Sequence, residues 1–365
     1  MQQSIRHMVA LSLVPKVGAI MAKYLIAYCG GAEAVFDSSP KQLAKIPQIG
    51  PAIIKNLKDE SIWDKADAQL NFLDTKGIRA YTYLDDGYPR RLKHFDSSPI
   101  VLYFNGGGEL NHHRTIGIIG TRKPSDRGRH ICEKLVAGLA RYDVQIISGL
   151  AHGIDSLAHK SAVDEGIPTI GVLGHGHDLI YPATNRSLAQ KMLPTGGTLS
   201  QFCIQSRIDR EHFPMRNRVI AAMSDAVIVV ESARKGGSMI TAEFANQYNK
   251  DVFAVPGRTT DPWSEGCNKL IKQHKANLLE SAADIGYIMR WEESDNQQAV
   301  QAALFVELDD LEQKVVDIIR DKPQTTLDEL NYQLQLSTSA LASCMINLEF
   351  KGAIKSLPGK KFMVV

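Results

Sequence analysis

TIGIIGTR, residues 115–122, opens a segment that ends near residue 257 and in which short apolar runs alternate with longer amphipathic stretches. Three further runs follow the same pattern: VQIISG at 144–149, TIGVLG at 169–174 and VIVVES at 227–232. Short β-branched runs separated by amphipathic stretches predict βαβ units on a parallel sheet that is buried on both faces. The expected fold class is therefore α/β.

The candidate site is the edge of the sheet where these strands end. Ligands of such sheets bind beyond the carboxyl ends of the strands, where glycine lets the backbone come close and helix N-termini attract anions. Arg122 ends the first run, and PSD at 124–126 signals the start of the next helix. Arg122 is thus placed to hold phosphate oxygens. A surface arginine paired with a neighbouring carboxylate is the alternative interpretation.

A local basic patch is predicted on the same edge. Arg216 and Arg218 are expected in the first turn of a helix, where cations oppose the helix dipole, so we attribute them to an anionic partner. GGS at 236–238 precedes another helix and is a second amide-rich anion cradle. Aromatic rings beside the cations suit base stacking. The cations and rings are Arg122, Arg186, Arg216, Arg218, Tyr181 and Phe213.

The composition limits the number of domains and the classes of partner that can be expected. A chain of 365 residues is expected to form two or three domains. The formal net charge of +2 does not by itself indicate a nucleic-acid partner, which would need a local basic patch. The 5 cysteines are scattered without a CxxC pair, and no apolar run approaches the ~18 residues of a membrane span. We expect a cytoplasmic protein without a membrane association.

Four segments are predicted along the chain. Residues 1–62 contain a repeat, VPKVGA at 14–19 and IPQIGP at 46–51, which resembles tandem helix-hairpin-helix motifs that bind DNA phosphates; two plain α-hairpins are the alternative. Residues 63–290 form the sheet domain, with a helix near 64–76 and an extra strand near 99–106. The Gln-rich stretch 291–304 is a linker, and 305–365 form a winged helix. The third helix of that winged helix, 337–350, carries no Lys or Arg, so a protein contact is at least as good an interpretation as a DNA contact.

Three other kinds of site are disfavoured. The first strand is not followed by GxGxxG, so no nicotinamide cofactor, and no other cofactor, is expected. Ser148, His152, Asp155 and His159 contain the residue types of a catalytic triad or a metal site, but their spacing establishes neither geometry. We favour a capping or loop-ordering role for Asp155, and loop hydrogen bonding for GHGHD at 174–178.

Several motifs in one order resemble the DNA-processing protein A (DprA, also called Smf) family. They are GTR at 120–122, SGLAxGIDxxAH at 148–159, YPxxN at 181–185 and FPxRNRxI at 213–220. The resemblance covers roughly residues 85 to 285, and the flanking segments match the family's usual additions. It implies an extended Rossmann-like domain between a helix-hairpin-helix (SAM-like) module and a winged helix. Gln201, Ala183 and His274 depart from the family's usual Glu, Lys and Gly, and Ala183 removes a phosphate contact that the resemblance implies for the lysine.

The resemblance also implies a function. Such a protein binds and protects single-stranded DNA, forms a homodimer through the Rossmann-like domain, and loads the RecA recombinase in natural transformation. It is not an enzyme. The residues predicted to bind DNA are Gly120, Thr121, Arg122, Ser148, Gly149, His152, Tyr181, Asn185, Arg186, Phe213, Arg216, Asn217, Arg218, Gly236, Gly237 and Ser238.

An enzyme is the competing class. GGSMITAE at 236–243 distantly resembles the glycine-rich loop of nucleotide phosphoribohydrolases, in which a carboxylate acts at the N-glycosidic bond. Here Ser238 and Met239 displace the second part of that loop, and no paired carboxylate is evident. A nucleotide-hydrolysing or nucleotide-sensing protein therefore stands as the alternative.

Overall fold

The computed structural model describes residues 2–206, 208–293, 309–321, 325–334, 338–351, 354–357 and 361–364. The chain divides into two compact units, Met1–Glu293 and Ser294–Val365. The larger unit contains the predicted sheet, and none of the described helices is long and apolar enough to cross a membrane.

Strands of the larger unit form one nine-stranded sheet in the order β1-β2-β6-β5-β4-β3-β7-β8-β9. The strands are Arg79–Thr82 (β1), Val101–Asn105 (β2), Thr115–Ile119 (β3), Gln145–Ser148 (β4), Thr169–Leu173 (β5), Gly197–Ser200 (β6), Ala226–Val229 (β7), Asp251–Ala254 (β8) and Asn277–Leu278 (β9). All pairs from β6 to β9 are parallel, whereas β1 and β2 add to β6 as antiparallel strands. The predicted α/β class and the extra strand are confirmed.

Helices cover both faces of this sheet. Every residue of β3 is buried, which explains why its sequence is continuously apolar rather than alternating. The helices are Gln2–Leu13 (α1), Ala19–Cys29 (α2), Ala32–Asp37 (α3), Pro40–Leu43 (α4), Pro51–Leu57 (α5), Ser61–Lys76 (α6), Arg90–Lys93 (α7), Asp126–Leu139 (α8), Ile154–Asp164 (α9), Arg186–Met192 (α10), His212–Met223 (α11), Gly237–Gln247 (α12), Glu265–Lys272 (α13) and Ala282–Met289 (α14).

The strand order reverses at β3, and this reversal positions the site. From β3 the chain proceeds through β4, β5 and β6 on one side, then returns to the other side of β3 with β7 and β8. The loops that leave β3 and β4 therefore diverge from those that leave β7. Such a reversal opens a crevice beyond the carboxyl ends of the central strands.

The repeat in the first 62 residues is visible in the backbone. Lys16 and Gln48, which occupy the same position in the two copies, both have positive φ angles, 68° and 66°. Gly18 and Gly50 each precede a helix, α2 and α5, and accept the first helical hydrogen bond. Two helix-turn-helix units are thus present, although α4 is only one turn long.

The predicted boundary at residue 62 falls inside α6, which begins at Ser61. The N-terminal helices and the sheet also share one apolar cluster, in which Leu11 and Leu73 belong to the same core as Val101 and Tyr103 of β2. Burial of this surface joins the helices to the sheet edge. An independent N-terminal module stays a prediction.

The smaller unit has the elements of the predicted winged helix. It contains Asp310–Asp321 (α15), Leu327–Leu334 (α16), Thr338–Phe350 (α17), Thr325–Thr326 (β10), Ile354–Leu357 (β11) and Lys361–Val364 (β12), with strand order β10-β12-β11. Its core includes Val315, Leu330, Leu341 and Leu348. The predicted linker, 291–304, lies outside the described residues from position 294 onward.

Candidate nucleic-acid interface

A basic groove of about 860 Å³ lies beside the carboxyl end of β3, between α8, α9 and α10. Five cationic side chains line it, and Asp164 is the one carboxylate in its wall among the described residues. The cations are Arg122, Lys123, Arg129, Lys160 and Lys191. All five are exposed, so their charges are available to an anion. The groove concentrates positive charge on a chain whose net charge is only +2.

Only Arg122 of these five was predicted from the sequence. The four lysines and arginines that were missed lie on four different elements, the loop after β3 and helices α8, α9 and α10. Lysines and arginines are common on the solvent-facing side of amphipathic helices, so their presence there does not by itself indicate a binding site. Nothing in the one-dimensional pattern shows that these particular faces meet across one groove.

A smaller depression adjoins the groove and shares Arg122 and His152 with it. Phe213 and Tyr181 line this depression, and the Tyr181 side chain is 46% exposed. The Arg122 guanidinium lies 5.6 Å from the centre of the Phe213 ring, and a cation over an aromatic face is favourable. The predicted cation and the two predicted rings are therefore brought together.

Close backbone contacts position Arg122. The Thr121 amide donates to the Glu231 carbonyl at 2.7 Å, and the Ile154 amide donates to the Thr121 carbonyl at 3.1 Å. Gly153 has a φ of +84°, and a Cβ there would come within 2.2 Å of the Thr121 carbonyl oxygen. Only glycine allows this approach of the loop before α9 to the loop after β3.

The first turn of α8 is occupied by a carboxylate of the chain itself. Glu231 accepts a hydrogen bond from the Ser125 amide at 2.9 Å and another from the Ser125 hydroxyl. The Gly128 amide, in turn, donates to Ser125 Oγ at 3.0 Å. The Ser125 and Gly128 amides at the start of α8 therefore already have partners and are not free to bind a phosphate beside Arg122.

Arg216 is a buried structural residue. Its side chain is 5% exposed, and Nη1 donates to the Gly149 carbonyl and, at 3.1 Å, to the Val172 carbonyl. Asp155 lies next to it and accepts from the Gly149 amide at 3.2 Å. Burial raises the pKa of the Asp155 carboxyl above its usual value, and the positive charge of Arg216 offsets part of this rise.

The explanation given for Arg216 from the sequence was therefore wrong. The helix begins at His212, so Arg216 and Arg218 lie in its second turn, away from the positive end of the dipole. The charge of Arg216 favours the ionised form of the nearby buried Asp155, and its guanidinium donates to two carbonyl groups. Arg218 is exposed, but it lies over the Phe244 ring at 4.9 Å and lines neither the groove nor the depression.

Several predicted polar residues support the backbone around the groove. Ser148 Oγ donates to the Ile118 carbonyl at 2.6 Å, and Asn185 Nδ2 donates to the Leu150 carbonyl at 2.9 Å. Both side chains are buried. His152 is exposed and lines the groove, whereas the exposed Arg186 does not line it. Gly120 and Gly149 lie against Ile154 and Arg216, where a side chain would not fit.

The remaining predicted residues form a separate cluster at the start of α12. Asn217 Nδ2 donates to the Gly237 carbonyl at 3.4 Å, and Ser238 Oγ donates to Ser232 Oγ at 2.8 Å. Gly236 precedes the helix in an extended conformation. Neither the groove nor the depression includes this cluster. Farther along α12, Glu243 pairs with Lys275 at 3.0 Å, so the carboxylate of the enzyme-like motif has a cationic partner.

His159 of the candidate triad and the two histidines of the GHGHD loop, His175 and His177, act as neutral hydrogen-bonding groups. Burial lowers the pKa of His159 to about 3 and that of His177 to about 4, and it also lowers the pKa of His175. His159 Nδ1 bonds Thr169 Oγ1 at 2.7 Å, while Ser148 bonds a backbone carbonyl. The loop hydrogen bonding expected for GHGHD is confirmed by the contacts from His175 and His177 to the Gly176 and Thr198 carbonyls.

A doubly wound sheet with a basic groove beyond its central strands defines a Rossmann-like protein with an anion-binding edge. A family model described as DNA recombination-mediator protein A matches residues 79–290, and one described as DprA winged helix domain matches residues 298–360. The chain belongs to the DNA recombination-mediator protein A (DprA/Smf) family. This family consists of DNA-binding recombination mediators and not of enzymes.

Related proteins support this assignment over the whole chain. Protein Smf of Synechocystis sp. is 30% identical over 98% of both chains. DNA processing protein DprA of Streptococcus pneumoniae is 37% identical over 56% of this chain and 72% of that protein. The X-ray structure of DprA from Streptococcus pneumoniae matches with a TM-score of 0.64 and 29% identity, covering 79% of this chain and 99% of that one.

A second solved structure is that of DNA processing protein A from Helicobacter pylori. It matches with a TM-score of 0.53 and 28% identity, over 59% of this chain and 98% of that chain. That structure gives insights into a unique mode by which the Helicobacter pylori protein binds single-stranded DNA. The predicted family, extended Rossmann-like fold and winged helix are confirmed.

Arg216→Met should destabilise the chain by about 3–5 kcal/mol, because it leaves the Asp155 charge buried and unpaired. Arg218→Met, on the same helix but exposed, should cost no more than about 1 kcal/mol. Urea unfolding of both variants measures the difference. Addition of Asp155→Asn to Arg216→Met should recover part of the loss. If the two single variants are equally stable, Arg216 and Asp155 do not stabilise the fold through their buried charges.

Proposed function

We propose that the chain binds single-stranded DNA along the groove between α8, α9 and α10, as part of DNA processing in transformation and recombination. The observation that carries the proposal is the convergence of Arg122, Lys123, Arg129, Lys160 and Lys191 on one groove. Lysine and arginine side chains that neutralise phosphates supply most of the affinity of such proteins. The groove tracks the sugar-phosphate backbone.

Two aromatic rings, the exposed Tyr181 and the half-buried Phe213, favour a single strand over a duplex. Phe213 and Tyr181 stand at the end of the groove, in the depression that Arg122 also lines. Bases can stack on such rings only when they are unpaired. No helix of the described groove projects from the protein in a way that would let it enter the major groove of a duplex, because α8, α9 and α10 form the groove with their sides. A strand lies with its phosphates on the cations and with one or two bases on the rings.

Arg122 links the two parts of the site. It lines both the groove and the depression, so its guanidinium can bind a phosphate while a neighbouring base contacts Phe213. The planar guanidinium binds phosphate oxygens in pairs, which a lysine cannot do. The Arg216 Nε–H lies beneath the depression and is buried without a hydrogen-bond partner in the described chain.

The partners follow from the family and not from a contact in the structure. We infer that the chain protects incoming DNA, acts as a homodimer through the Rossmann-like unit, and loads the RecA recombinase. Loading is tested by whether the protein speeds RecA filament formation on single-stranded DNA coated with a single-strand-binding protein. No acceleration would contradict the inference. The nucleotide-hydrolysing alternative receives no support from the groove.

Affinity for single-stranded DNA should fall linearly with salt on a logarithmic scale. Full use of the five groove cations predicts a slope of about −3.5, at about −0.7 for each phosphate neutralised. Fluorescence anisotropy with a labelled oligonucleotide and with the matching blunt duplex measures both affinities. The single strand should bind more tightly at every salt concentration. Salt-independent binding or a preference for the duplex would contradict the proposal.

Arg122→Ala should weaken single-strand binding by about 1.5–3 kcal/mol, the usual contribution of a hydrogen bond to a charged group. The salt slope should become shallower by about 0.7. Arg122→Lys should recover only part of the affinity. Lys272→Ala, which removes an exposed cation of α13 outside the groove, is the charge-matched control and should leave affinity unchanged. A variant with normal affinity and a lowered melting temperature would make Arg122 a structural residue.

The candidate dimer residues are Leu278 of β9 and Tyr287 and Ile288 of α14, the helix that follows β9 in the chain. All three side chains are exposed, Tyr287 to 86%. Because β9 is an edge strand, its free side can receive a second copy of the chain. Tyr287→Glu should convert a dimer into a monomer in sedimentation velocity, whereas Tyr28→Glu on α2 should not. A dimer that persists in Tyr287→Glu places the interface elsewhere.

A further inference from the structure

His112, His113 and Asp143 come together at the edge of the sheet opposite to the groove. The histidines precede β3, and Asp143 lies in the turn before β4, so all three belong to the amino ends of parallel strands. His112 Nε2 is 3.6 Å from one carboxylate oxygen of Asp143, and His113 Nε2 is 3.5 Å from the other. Among the described residues, this is the one group of three potential metal-ligand atoms within 4.8 Å of one another.

The His112 ring is oriented by a backbone carbonyl. Its Nδ1 lies 2.9 Å from the Arg114 carbonyl oxygen and 3.4 Å from the Arg114 amide nitrogen. The backbone of Arg114 therefore holds the ring, and Nε2 faces Asp143. Histidines that bind metals are commonly held through their second ring nitrogen, which fixes the ring orientation.

The backbone of the two histidines is held by one guanidinium. Arg91 donates to the carbonyl oxygens of His112 at 2.8 Å and of His113 at 2.9 Å. Arg91 is fixed in turn by a two-pronged ion pair with Asp225, with both contacts at 2.7 Å. Asp225 also accepts from the Thr115 amide at 2.8 Å. The two imidazoles are thus attached to a rigid part of the sheet.

Asp143 adopts a left-handed backbone conformation, with φ 46° and ψ 66°. This region is costly for most residues with a side chain, though aspartate tolerates it better than most. The conformation places the Asp143 carboxylate between the two Nε2 atoms. Strained conformations of this kind persist where the surrounding structure requires them, and they cluster at functional sites.

From this geometry we propose that His112, His113 and Asp143 bind a divalent transition-metal ion, with Zn²⁺ the best match. Two imidazoles and one carboxylate suit zinc and do not suit magnesium or calcium, which prefer oxygen ligands. Ligand atoms around tetrahedral zinc are roughly 3.3 Å apart, close to the two distances observed here. The exposed His113 ring can turn toward the ion, and water completes the coordination.

The ion would join the loop before β3 to the turn before β4. It lies at the amino ends of the strands, whereas the groove cations lie at the carboxyl ends, so no ligand of the ion is a groove residue. The expected consequence is stabilisation of the larger unit without a change in DNA contacts. No metal site was expected from the sequence, because Asp143 is distant in sequence from HH at 112–113.

Titration calorimetry tests the site in the full chain after treatment with a chelator. One equivalent of ZnCl₂ should bind, MgCl₂ should not compete, and the melting temperature should rise with free zinc. Asp143→Gly is the decisive variant, since glycine accepts the left-handed backbone while the ligand is lost. It should fold, bind zinc at least about tenfold more weakly, and lose most of the thermal shift.

Two further variants separate this site from other zinc-binding groups. His113→Ala should lose zinc affinity to a similar extent, whereas His130→Ala, which removes an exposed histidine of α8, should bind zinc as the parent chain does. The proposal is overturned by a parent chain that binds no zinc. It is equally overturned if Asp143→Gly and His113→Ala keep the affinity of the parent, since the ion would then bind the cysteines or other histidines.

Discussion

The buried guanidinium of Arg216 is the contact on which the candidate DNA site depends. It joins the loop after β4, through the Gly149 carbonyl, to β5, through the Val172 carbonyl, and it faces Asp155 of α9. A buried charge is very costly without a partner, so these elements cannot shift independently. A Cβ on Gly149 would overlap the guanidinium, which explains the glycine at this position. The rim of the groove and the depression beside it are therefore formed before any ligand binds.

The parallel sheet was predictable because strands buried on both faces are continuously apolar in sequence. The continuous apolar runs predicted β3, β4, β5 and β7, and the helix signal at 124–126 predicted the start of α8. The spacing of the two glycine turns predicted the N-terminal repeat. Arg122, Tyr181 and Phe213 of the candidate site were also found, since loops after parallel strands meet at one edge.

The rest of the site depends on contacts between distant parts of the chain. The sequence shows that residue 216 is charged but not that it is buried against Asp155. Glu231 occupies the first turn of α8 from the end of β7, and no local signal reveals this contact. Lys160 and Lys191 lie on separate helices, and their convergence follows from how α9 and α10 pack. Metal ligands supplied by two different loops escape detection for the same reason.

The two edges of the sheet thus carry different chemistry, a cationic groove at the carboxyl ends and imidazole and carboxylate groups at the amino ends. The central claim is that single-stranded DNA lies in the groove. Photocrosslinking with an oligonucleotide that contains 4-thiothymidine, followed by peptide mass spectrometry, tests it most directly. The account predicts crosslinks at Tyr181, Phe213 and peptides containing Arg122 or Lys160. Crosslinks confined to residues 2–57 or to the winged helix, 309–364, would contradict it.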